Sequence, residues 1–116
     1  MNQDIQTQIN RNNENIQILN NRKVIYNNFL GLLYEFKKHL LDLQQNYIKA
    51  SNAFINGGYI CDGVTLDNGV LAQLYQNTQN DIIVIMGMIN NVREELIRID
   101  DDVSNLQQAN QSLMSQ

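Results

Sequence analysis

The sequence predicts an all-α fold: two long helices doubled back on each other as an antiparallel, coiled-coil-like hairpin. Three observations carry that expectation. Apolar residues return at heptad spacing through both halves of the chain, and no proline interrupts either half. Four of the six glycines fall in one central stretch, from Gly57 to Gly69. A single connection between two helices explains this concentration, because glycine readily takes the left-handed conformation that ends a helix.

Helix 1 is expected over about residues 3–56. Leu19, Tyr26, Leu33, Leu40, Tyr47 and Phe54 recur every seven positions, and Phe29, Phe36, Leu43 and Ala50 supply a second column at alternating three-four spacing. That pattern is a helical seam, not a strand. Within residues 1–15, Ile5 and Ile9 keep the spacing and Ile16 continues it, but Asn12, Asn13 and Asn15 dilute it. This end is expected to fray or to need a partner. A loop over about residues 57–66 follows, with Gly57 and Gly58 ending helix 1. Thr65 or Asp67 is placed to cap helix 2 by accepting from its first free amides. Helix 2 is expected over about residues 67–113. Its seam is Leu71, Tyr75, Thr78, Ile82, Ile85, Ile89, Val92, Leu96, Ile99, Val103 and Leu106, passing Asn110 to reach Leu113. Gly31 and Gly87 each cost about 1 kcal/mol relative to alanine, which a long packed helix absorbs.

Folding the seams together about the loop suggests a register in which Leu40 meets Ile85, Tyr26 meets Ile99 and Leu19 meets Leu106. Arg22 and Lys23 then fall opposite Asp101 and Asp102. Residues 1–56 carry six bases against four acids, and residues 66–116 two bases against seven acids, so the helices attract. The whole chain, residues 1–116, reads as one helical-hairpin domain.

The formal net charge is −4, which argues against nucleic acid, whose phosphates call for a basic stripe. Asparagine and glutamine make up more than a quarter of the chain and provide much of its polar surface. The longest apolar run, Ile82 to Ile89, is far short of the roughly 20 residues a bilayer span requires, so no membrane insertion is expected. The N-terminus lacks the basic and apolar regions of a cleaved signal peptide. The expectation is a cytoplasmic protein when made, leaving the cell, if at all, by a signal-peptide-independent route.

No catalytic constellation assembles, and no cofactor is expected. His39 has only Asp42 as a possible second ligand at i+3 or i+4 and reads as a surface or interface histidine. Asp100, Asp101 and Asp102 are consecutive on a helix and point in different directions; Glu94 and Glu95 read the same way, as a solvated face. Asp62 and Asp67 lack the spaced oxygen ligands of a calcium loop. Cys61, the single cysteine, has no neighbouring base, and an intramolecular disulfide is impossible. The chain reads as a non-enzyme.

Its surplus lies elsewhere. Leu30, Leu32 and Leu41 on helix 1, with Ile83, Val84, Met86 and Met88 on helix 2, fall off the expected seams at one height. A two-helix hairpin covers one stripe per arm, and large exposed apolar patches mark interaction surfaces. These seven residues are the predicted partner-binding set, completing a bundle with a partner or a second copy. A sharp break at Gly31 and Gly87, giving a four-helix monomer, is the alternative way to cover them.

Two long helices, a central Gly-containing turn (Gly57-Gly58-Tyr59 or Asp62-Gly63), acidic charge and no signal peptide resemble the Trp-x-Gly class of type VII secretion proteins. The chain looks most similar to the small helical partners of LXG-type toxins in Gram-positive bacteria, although it has no tryptophan and so lacks the Trp-x-Gly motif itself. Leu96 followed by Asp100 and Val103 resembles part of that class's export signal. The resemblance implies an adaptor that pairs with the helical N-terminal domain of a toxin and assists its export. An export chaperone of flagellar or phage-tail type and a structural homodimeric coiled coil are the rival expectations.

Overall fold

The computed structural model describes residues 2–54, 59–61, 64–66 and 68–116. It is an all-α helical hairpin built from α1 (Gln3–Phe54) and α2 (Asn68–Met114), joined through two three-residue strands, β1 (Tyr59–Cys61) and β2 (Val64–Leu66). The strands pair antiparallel with Tyr59 against Leu66 and Cys61 against Val64. They were not expected. Their signal is nonetheless in the sequence: β-prone residues on either side of Asp-Gly, the strongest short-range hairpin dipeptide. Thr65 lies in β2 and therefore does not cap α2. The other expected helix-ending and capping positions, Gly57, Gly58 and Asp67, lie outside the described residues.

The chain divides into two compact units, Met1–Gly31 with Asn90–Gln116, and Leu32–Ile89. In the first unit, the end expected to fray or to need a partner is helical from Gln3 onward. Asn2 caps it, its Oδ1 accepting from the Asp4 amide at 2.8 Å, and the Asp4 carboxylate suits the positive end of the helix dipole. Ile9, Asn12, Val92, Ile99 and Asn110 are buried, Ile99 at 2% exposure. Buried in the second unit are Leu33, Leu40, Gln44, Leu71, Thr78, Ile82, Ile85 and Ile89.

The α2 seam runs as the sequence predicts, with Tyr75 its most exposed member. The α1 seam requires a correction. Its first column, Leu19, Tyr26, Leu33, Leu40 and Tyr47, faces inward, but its second column is Ile9, Ile16, Lys23, Leu30, Lys37, Gln44 and Ser51. The expected second column is mostly exposed, with Phe36 at 51% and Phe29 and Leu43 at 39%. Four polar residues disguise the true column in a hydropathy pattern. Long stems let Lys and Gln line a seam while their heads reach polar partners at its edge. The Lys23 ammonium donates to Asp100 Oδ1 at 2.7 Å, and Gln44 Nε2 to Gln79 Oε1 at 2.9 Å. Among the described residues, no buried side-chain nitrogen or oxygen lacks a partner.

These bonds also correct the register. Asn12 meets Asn110, Lys23 meets Asp100 and Gln44 meets Gln79. The sequence expectation placed Leu113, Asp102 and Asp81 there, so α2 is displaced by two or three residues. One heptad step from Asn12 and Asn110 brings Leu19 level with Val103, and one helical turn from Gln44 and Gln79 brings Leu40 level with Ile82. Neither Gly31 nor Gly87 interrupts its helix.

The amide-rich composition has a local role. Gln6 donates to Asn10, Gln8 to Asn12, Gln73 to Asn77 and Gln76 to Asn80, each one helical turn ahead, at 2.9–3.3 Å. Such pairs support a helix without charge, by about 0.2–0.5 kcal/mol each.

Candidate partner-binding surface

Around its buried seam residues, the second unit leaves much apolar surface in water. Exposure is 62% at Leu32, 44% at Leu41, 58% at Ile83, 61% at Val84, 45% at Met86 and 37% at Met88. Leu30, the seventh residue of the predicted set, sits in the α1 seam and is half-buried. It belongs to the hairpin's own core, for the same reason that Phe29 does not.

The six exposed residues share a height but not a face. Leu32 precedes the seam residue Leu33, Val84 precedes Ile85, and Met88 precedes Ile89. Leu41 follows Leu40, Ile83 follows Ile82, and Met86 follows Ile85. Two antiparallel right-handed helices that face each other carry the preceding residues of both to one flank and the following residues to the other. Leu32, Val84 and Met88 therefore form one flank of this unit, and Leu41, Ile83 and Met86 the opposite one.

Phe36 and Leu43 precede seam positions and extend the first flank; Tyr34 and Ile48, 44% and 39% exposed, follow them and extend the second. The sequence reading missed these four. Phe36 and Leu43 read as seam residues from hydropathy alone, because the true column is partly polar.

The surface is chemically plain. Among the described residues, no three His, Cys, Asp or Glu side chains are grouped to hold a metal ion. His39 is exposed on α1. Asp100 is engaged by Lys23 and Glu95 by Arg98. The export-signal-like residues separate: Leu96 and Val103 are half-buried in the α2 seam, while Asp100 is exposed. No described helix is long and apolar enough to cross a membrane.

Comparison of the chain with protein-family models, with curated proteins and with solved structures finds no match in any of the three.

Proposed function

We propose that this chain is a non-enzymatic helical partner protein, and that helices of another chain cover the apolar flanks of its second unit. One observation carries the reading: Leu32, Leu41, Ile83, Val84, Met86 and Met88 stay exposed although the neighbouring seam residues Leu33, Leu40, Ile82, Ile85 and Ile89 are buried. The parts still in water forgo on the order of 0.5–2 kcal/mol per side chain compared with full burial. The two methionines favour helix packing against an irregular partner, since their unbranched side chains adapt to its shape. Exposure on both flanks supports a hairpin that sits inside a larger bundle, in the helix-in-groove mode of recognition.

The partner we propose is the helical N-terminal domain of a secreted LXG-type toxin, with the chain assisting export through a type VII system. This finer identity follows from the architectural resemblance. The test is co-expression with the product of an adjacent gene that has a long helical N-terminal domain, followed by light scattering on the purified complex. A defined complex that is lost on combining Val84→Asp with Met88→Asp, helix content being retained, supports the assignment. Complex formation that survives both substitutions refutes this contact surface. Absence of any complex with such a domain refutes the toxin-partner reading.

A further inference from the structure

The first unit buries an amide cluster that neither the proposed partner surface nor helix formation requires. Asn12 Nδ2 donates to Asn110 Oδ1 at 2.9 Å, and Asn110 Nδ2 donates to Asn13 Oδ1 at 2.9 Å. Gln8 Nε2 donates to Asn12 Oδ1 at 3.0 Å and completes the chain of bonds. Asn12 is 5% exposed and Asn110 6%, as buried as the apolar core. A seam of aliphatic residues would hold the helices together without them.

We propose that Asn12, Asn13 and Asn110 form a lock that selects one register, and this α2, as the partner of the N-terminal part of α1. Apolar contact alone cannot make that choice. Apart from Lys23 and these asparagines, the seam positions of this unit are Ile5, Ile9, Ile16, Leu19, Tyr26 and Leu30 against Val92, Leu96, Ile99, Val103, Leu106 and Leu113. A slip of one heptad sets aliphatic residues opposite aliphatic residues again. The asparagines distinguish the registers. One slip places Asn12 against Val103 and Asn110 against Ile5; the opposite slip places Asn110 against Leu19. Each breaks the Asn12–Asn110 bond and sets a buried amide against an apolar side chain, and a buried polar group deprived of its partner costs more than its hydrogen bond contributes when made. The same penalty disfavours a foreign apolar helix in the seam of this unit. A buried asparagine at a core position of a coiled coil acts in this way, sacrificing stability for a unique pairing.

The experiment combines Asn12→Leu with Asn110→Leu in a Cys61→Ser chain. Leu19→Cys with Val103→Cys reports the native register, and Leu19→Cys with Leu96→Cys reports the slip. Both pairs are closed with a short bismaleimide. In the parent the native product dominates. In the double variant the native-to-slipped ratio falls by roughly tenfold or more, the ratio associated with one unpaired buried amide. The urea midpoint of the double variant, measured without reporter cysteines, equals or exceeds the parent's. Asn110→Leu alone lowers that midpoint, because the Asn12 Nδ2 donor is left without its acceptor. An unchanged crosslinking ratio in the double variant, or a double variant less stable than the single one, overturns the proposal.

Discussion

Leu32 and Leu33 are adjacent, chemically identical and opposite in fate: 62% and 5% exposed. The same substitution at both positions isolates what the seam contributes. Leu33→Ala removes a nearly fully buried side chain facing α2, and core Leu→Ala changes cost about 2–5 kcal/mol, cavity included. At Leu32 little more than a third of the side chain is covered, so the burial at stake is about 0.5–1 kcal/mol. The assay is urea unfolding followed by helical circular dichroism, at two protein concentrations so that self-association is detected. With m near 2 kcal/mol/M, a 3 kcal/mol loss moves the midpoint by about 1.5 M, against about 0.3–0.5 M for Leu32→Ala. Equal shifts for the two variants, or the larger shift at Leu32, would refute the α1 seam and with it the assignment of the exposed flanks. If the proposed partner binds the exposed flanks, Leu32→Ala should weaken that binding while Leu33→Ala acts on folding.

Further outcomes follow from the same geometry. A Cβ added at Gly31 or Gly87 meets nothing within 4 Å, so Gly31→Ala and Gly87→Ala should each raise stability by about 0.5–1 kcal/mol, read as a higher urea midpoint. A loss at either site would mean that the glycine is needed for backbone freedom or close packing. Cysteines at Leu40 and Ile82 should crosslink faster than cysteines at Leu40 and Ile85, the pair the sequence alone favours; the reverse order would restore the uncorrected register. The Lys23–Asp100 pair is solvated on both sides, 41% and 58% exposed, so Asp100→Asn, which leaves the Lys23 stem in the seam, should cost less than about 1 kcal/mol, with the difference shrinking in high salt. A cost of several kcal/mol that salt does not reduce would show that the pair itself holds the helices together.

The heptad spacing of α2, the absence of proline and the central glycines were enough to determine two long helices, their approximate limits and the whole α2 seam. These are local properties: periodicity chooses a face, and nothing near it competes. The α1 seam was not decided locally, because two columns compete. Phe29, Phe36 and Leu43 are the more hydrophobic, yet Lys23, Leu30, Lys37 and Gln44 line the seam. Only the facing helix settles that choice, by supplying Asp100 and Gln79 as partners for polar heads that hydropathy counts as exterior. The register has the same origin. Apolar layers repeat every seven residues and are nearly interchangeable, whereas the bond between Asn12 and Asn110 exists in one alignment only. So it is with the exposed surface: its residue types and its height were legible in the sequence. Its division between two flanks followed once tertiary pairing had shown which residues precede the seam and which follow it.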